Sequence, residues 1–159
     1  RLKWSTCLKT WPDSAMSKAR SRARRMAMQA LYEWQVAGNA PSDILNTYRT
    51  EQPMEKVDSD YFEELVLNTA KHQQDLDAHL AKLVSRPINE IDPIELAILR
   101  MAGYELMHRP DVPYRVVINE AIELAKSFGA EAGHKFVNGI LDKLAVELRP
   151  DESRLSQRK

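Results

Sequence analysis

The residues most able to do chemistry lie in one short run. Lys18, Arg22, Arg25 and Gln29 recur at spacings of four, three and four, which aligns them on one side of a helix leading to Tyr32, with Arg20 and Arg24 on a flank. No acidic residue interrupts the run between Ser17 and Met28, so its cations repel one another unless a polyanion relieves them. Arginine predominates over lysine; its planar fork suits phosphate oxygens and stacks on bases, the chemistry expected for RNA. A merely solvated cationic face is the competing reading. At the other end of the chain stands Lys135-Phe136. Phe136 falls about 40° beyond the stripe formed by Val137, Ile140, Leu141, Leu144 and Leu148, at 100° per residue. It is either core beneath a helical connection or a stacking platform for an unpaired base, worth ~1–3 kcal/mol.

Other reactive patterns are poorer. The single cysteine, Cys7, precedes the patterned part of the chain, no serine sits in a nucleophile elbow, and five glycines form no phosphate loop. His72, Asp75 and His79 share one helix face, yet no fourth ligand at characteristic spacing accompanies them, so a solvated polar face is the expectation. His108 and His134 have no sequence-local partner for acid–base work. Glu63-Glu64 and Glu120…Glu123 read as solvent-facing or salt-linked. The chain is expected to be no enzyme, with no metal and no cofactor.

The elements that position these residues are all helical. A helix from Ser17 carries Ala23, Met26, Ala27, Ala30, Leu31, Trp34 and Ala37 inward and ends at Gly38-Asn39. Pro41-Ser42 opens a short helix closed by Gln52-Pro53. Asp58 is a plausible N-cap for a long helix to about Val84, broken by Arg86-Pro87. Asp92-Pro93 opens the next, whose apolar residues occupy two faces and mark it as central. Pro113 opens a hairpin of two helices. Gly129 is expected to stop the first by adopting positive φ, and the second runs to about Leu148. The fold class is all-α, about seven helices in two small packed bundles sharing one core.

A chain of 159 residues is one domain by default. Residues 1–16 are expected to be a leader, disordered or upstream-derived, 17–150 the helical domain, and 151–159 a polar, frayed tail. The zero net charge conceals an asymmetry: residues 1–25 hold eight Lys/Arg against Asp13 alone, leaving fifteen basic against twenty-two acidic residues in the remainder. A basic head suits a polyanion, and the acidic middle suits a basic protein. With one cysteine and no apolar run of about 18 residues, a cytoplasmic, non-membrane protein is expected.

Several stretches together resemble one family. They are Arg20-Ser-Arg-Ala-Arg-Arg leading into Gln29-Ala-Leu-Tyr-Glu-Trp34, then Ile94-Glu-Leu-Ala-Ile-Leu-Arg100, Asp111-Val-Pro-Tyr, Ile118-Asn-Glu-Ala-Ile-Glu-Leu-Ala-Lys126 and Lys135-Phe-Val-Asn-Gly-Ile-Leu-Asp142. These resemble the NusB family of bacterial transcription antitermination factors over roughly residues 17–150. The resemblance implies binding to boxA RNA of ribosomal RNA transcripts with NusE, a small-subunit ribosomal protein. It further implies assembly with other Nus factors on RNA polymerase to suppress premature termination. By position it implies RNA contacts at Arg20, Arg22 and Arg24, an RNA path near Lys135 and Phe136, and NusE contacts at Tyr32 and Glu95. Ser21 stands where relatives often carry another arginine, and Ala132-Gly133 replaces a more polar approach to Lys135-Phe136. The resemblance also admits a homodimer that buries the RNA-binding face. Two alternatives stand beside this reading: a helical adaptor that recognises only proteins, and a module like the N-terminal RNA-binding region of ribosomal RNA cytosine methyltransferases.

Overall fold

The structure is a computed structural model that describes the backbone of residues 11–157 and the side chains of residues 17–154. Its helices are α1 (Trp11–Ala37), α2 (Pro41–Glu51), α3 (Ser59–Lys71), α4 (Gln73–Ala81), α5 (Pro93–His108), α6 (Tyr114–Phe128), α7 (Gly133–Leu148) and α8 (Pro150–Gln157), with a 3₁₀ turn at Ile88–Glu90. No strand occurs among the described residues. The all-α expectation therefore holds, and α1 begins earlier than Ser17, inside the stretch read as a leader. Residues 1–10 of that leader, Cys7 included, lie outside the described residues.

The central position expected for α5 is realised: α1, α3, α4, α6 and α7 all pack on it, and every residue from Glu95 to Leu106 is buried. Asp92 starts the helix by accepting from the backbone N–H groups of Ile94 and Glu95, 3.1 Å each, ahead of Pro93 at the first turn. Gly103 lets α4 and α7 close on it, since a Cβ there would meet Leu76 Cδ2 at 3.2 Å and Leu144 Cδ2 at 3.6 Å. Asp58 caps α3 as expected, accepting from Tyr61 N–H at 3.1 Å.

Three local expectations change. The long helix to Val84 is two helices that break at His72, where φ −98° and ψ 18° leave the α region. The His72 ring nitrogen Nδ1 lies 2.8 Å from the Asn68 carbonyl, competing for the acceptor that the helix ladder also uses, while the ring packs 4.3 Å from that of His108. Gly129 does end α6, but with φ −83° and ψ 176°, an extended conformation. A glycine suits that position because a Cβ would stand 2.7 Å from the Ala125 carbonyl oxygen. The left-handed turn of the hairpin is taken instead by Ala132, φ 65°.

The expected frayed tail folds as α8. Arg149 holds it: Nε donates to the Leu106 carbonyl at 2.8 Å, Nη1 to Val112 at 3.0 Å, and Nη2 to Glu105 at 3.1 Å and Arg109 at 2.8 Å. One buried guanidinium thus satisfies carbonyls at the end of α5 and in the turn after it. Glu152 completes the clamp, accepting from Arg149 and from Tyr114 N–H, both at 2.8 Å, and Ser153 is buried beside it.

Candidate nucleic-acid interface

Lys18, Arg22, Arg25, Gln29 and Tyr32 are all exposed on one side of α1, while Ala23, Ala27, Ala30 and Leu31 are fully buried on the other. The spacing argument is realised residue by residue. Among the described residues no carboxylate lies within 4.0 Å of Lys18, Arg22 or Arg25. Arg22 makes one long contact, Nη1 to the Lys56 carbonyl at 3.4 Å. Three cations held at helical spacing without local neutralisation form a stripe of positive potential.

Arg24 does not belong to that stripe, contrary to expectation. It is buried at 4% exposure and grips Glu105 in a fork, Nε to Oε1 at 2.9 Å and Nη2 to Oε2 at 2.8 Å, with Nη1 reaching Glu120 at 3.1 Å. Burial would lower its pKa, yet the hydrogen bond and charge of Glu105, aided by Glu120 and Tyr61, raise it well above the ordinary arginine value. Tyr61 donates its hydroxyl proton to Glu105, and its own pKa is raised by burial and by that carboxylate's charge. The physical reason is rotational: Arg24 falls about 200° around the helix from Arg22, between Leu31 and Met28 on the core side. Arg20, one turn earlier on that side, is half-buried, its guanidinium 4.5 Å from the Tyr61 ring centre and its Nε 3.5 Å from Asp58. Glu120 also accepts from Ser21.

The α6–α7 hairpin supplies the second part of the interface. Lys135 is exposed in the first turn of α7, and Phe136 is half-exposed, its inner side against the core. Phe136 is therefore both core and surface. The Arg86 guanidinium stands 5.3 Å from its ring centre, and Arg25 stands 5.8 Å from that of Phe128 at the end of α6. The Arg25–Phe128 contact makes the basic stripe of α1 continuous with the hairpin tip. Arg86 and Phe128 were not singled out as site residues, because each joins the interface through a contact remote in sequence.

Beyond Gln29 the α1 face turns apolar. Tyr32 is 39% and Val36 58% exposed, and Val36 lines a groove of about 690 Å³ together with Trp34, Asp77, Asn89, Pro93 and Arg100. Arg100 is pinned beneath it by Asp77, at 2.9 and 2.8 Å, and by Gln35 Oε1 at 3.0 Å. Glu95, expected among the partner contacts, is buried at 4% exposure under the α6–α7 connection. Asp92 already caps α5, so the Glu95 side chain is released to turn inward, its carboxylate against the backbone of Gly133. Burial, and then the charge of Asp92, push its pKa up; Ala130 and Arg86 oppose this.

The histidines and paired acids take structural partners. His79 and Lys82 both contact Glu147, at 2.6 and 3.0 Å, and Glu63 and Glu64 pair with Arg49 and Arg109. No group of three potential metal-ligating side chains occurs among the described residues, and no described helix is long and apolar enough to cross a membrane.

Comparison with known proteins adds an independent line. A model of the NusB family matches residues 21–146. The transcription antitermination protein NusB of Idiomarina loihiensis is 56% identical over 132 residues, 83% of this chain and 95% of that protein. NusB of Shewanella amazonensis is 58% identical over 127 residues, 80% and 95% of the two. Among solved structures, T. maritima NusB superposes with a TM-score of 0.74 at 29% identity, over 84% of this chain and 95% of that one. A chain from a crystal structure of antitermination factors NusB and NusE in complex with dsRNA gives 0.71 at 26% identity, covering 78% and 93%.

Proposed function

This chain belongs to the NusB family of transcription antitermination proteins, and we propose that it binds boxA-type RNA of ribosomal RNA transcripts jointly with a NusE-type ribosomal protein. The pair then joins other Nus factors on RNA polymerase in the cytoplasm and opposes premature termination. The function is binding, not catalysis.

One observation carries the RNA part: the exposed stripe Lys18, Arg22, Arg25, Gln29 runs through the Arg25–Phe128 contact into the hairpin bearing Lys135 and Phe136. The cations neutralise phosphates, and the half-exposed Phe136 with Arg86 beside it offers a base a surface to stack on. Arg20 contributes from the edge, whereas Arg24 supports the surface from within. Tyr32, Val36 and the adjoining groove form the partner's seat. That site borders the RNA stripe, so one partner can touch both protein and RNA. Joining two weak contact surfaces raises effective concentration without either binding tightly.

The test is fluorescence anisotropy of a labelled boxA-type RNA and a scrambled control at two salt concentrations, with and without the NusE-type protein. Tighter, sequence-selective binding in the partner's presence is expected. Equal binding of both RNAs, or none, with the partner present would transfer the function to a protein-only adaptor.

A further inference from the structure

We propose that the groove between α6 and α7 seats one nucleotide flanking the boxA-type element, a guanine whose edge is read by Asp142, Asn119 and Asn138, with Lys143 on its phosphate. This rests on the RNA reading above and carries the RNA path beyond Lys135 and Phe136.

The groove measures about 620 Å³, within the ~300–1,000 Å³ usual for small-ligand sites. Asn119 of α6 and Asn138, Asp142 and Lys143 of α7 line it, all four exposed, while the buried Ile118 and half-buried Ile122 add apolar surface for a planar base. Among the described residues none of those four polar side chains makes a hydrogen bond or an ion pair. One concave place therefore offers a carboxylate, two amides and an ammonium whose hydrogen-bonding capacity the fold does not use. An ionised carboxylate only accepts, so Asp142 favours a base edge that carries donors. Guanine presents two side by side, N1–H and the N2 amine, and an amide N–H from Asn119 or Asn138 suits the neighbouring O6. Uracil presents a single donor between two acceptors.

A second observation marks the way to the groove. Lys135, Gly139 and Lys143 follow at spacings of four along one exposed side of α7, and a Cβ added at Gly139 would meet nothing within 4 Å. Alanine is the better helix former and the fold has room for it, so the glycine serves no contact within this chain. It bares the backbone midway between two cations about 12 Å apart along the helix. Phe136 and Asn138 stand about 160° apart around α7 with Gly139 between them, so a strand passing from one to the other crosses the helix where it has no side chain.

The experiment measures anisotropy, with the NusE-type protein present, on the core boxA-type RNA and on the same RNA extended at either end by two guanosines or two uridines. Guanosines at one of the two ends are expected to tighten binding about tenfold, the scale of one well-made base contact, and uridines there less than about twofold. N138A and D142N are expected to remove the guanosine gain while holding affinity for the core RNA within about twofold. G139A is expected to raise the urea midpoint yet weaken binding of the guanosine-extended RNA about threefold, opposite signs that damage to the fold cannot produce. Equal affinity of wild type for core and extended RNAs overturns the groove site and spares the RNA reading, whereas no binding of any RNA overturns both. A guanosine gain that persists in N138A and D142N also overturns the proposal. So does a loss of affinity for the NusE-type protein in those variants, which would give the groove to the protein.

Discussion

Replacing Arg24 by alanine should cost the fold and spare the RNA surface, the reverse of what a position within an arginine-rich run suggests. Its side chain and that of Glu105 are 5% and 2% exposed, so deleting the guanidinium leaves a carboxylate in the core with only Tyr61 as a donor. Breaking a buried pair from one side costs about 3–5 kcal/mol, because the desolvation of the surviving charge is no longer offset. Against a total stability of ~5–15 kcal/mol the variant stays folded at room temperature in all but the most marginal case. With a urea m-value of about 2 kcal/mol/M, the midpoint should fall by roughly 2 M. Two signatures identify the mechanism. The charge left unpaired on Glu105 is what costs R24A its stability, whereas the unchanged cationic stripe leaves its RNA surface as in wild type. Neutralising the orphan should also help, making R24A/E105Q more stable than R24A. Below its melting range R24A should bind RNA with an unchanged salt slope. A midpoint shift under about 0.5 M, or a slope reduced as though a phosphate contact had gone, would refute the assignment of Arg24 to the core.

The other expectations separate surface from scaffold. R22A and R25A should each reduce the salt slope of RNA binding by about 0.7 while changing stability by no more than about 0.5 kcal/mol, measured by anisotropy and urea denaturation. Y32D should lower affinity for the NusE-type partner at least about tenfold in calorimetry and change RNA binding by the isolated chain less than R25A does, since the exposed ring lies beyond Gln29, past the last cation of the stripe. R149M should destabilise by about 3 kcal/mol, as four backbone carbonyls lose a common donor; a urea midpoint equal to wild type would refute the clamp. Asp111 is held down to about 2, chiefly by the hydrogen bond from Arg109, against an ordinary 3.8. Its contribution is thus present above about 3.8 and lost as pH falls toward 2, a loss D111N should abolish. An NMR midpoint near the ordinary value would count against the Arg109 contact.

Patterns confined to a few turns of one helix were legible in the sequence. The Lys18, Arg22, Arg25, Gln29 stripe, the Asp58 and Asp92 caps and the doubly buried α5 all follow from spacings of three and four or from a cap beside a proline. What stayed hidden depends on partners brought in from elsewhere. Arg24 and Glu105 are 81 residues apart, so no periodicity names the pair. Two signals nevertheless pointed at it: the helical position of Arg24 between Leu31 and Met28, and the carboxylate of Glu105 within the apolar run of α5, which demands a buried partner. The break at His72 depends on a ring from another helix, and the inward turn of Glu95 depends on a connection some 35 residues later, with Gly133 leaving room.

These hidden contacts explain why the legible ones can work. Arginines on a solvent-facing stripe bind RNA weakly if their helix is free to roll, because ordering it would be charged against the binding free energy. Arg24 grips Glu105 from the opposite side of the same turn that displays Arg22 and Arg25, fixing the rotation of α1 against the central helix. Glu95, ten residues from Glu105 along that helix, lies buried against the start of α7. Two buried carboxylates on α5 thereby face α1 on one side and the α6–α7 hairpin on the other.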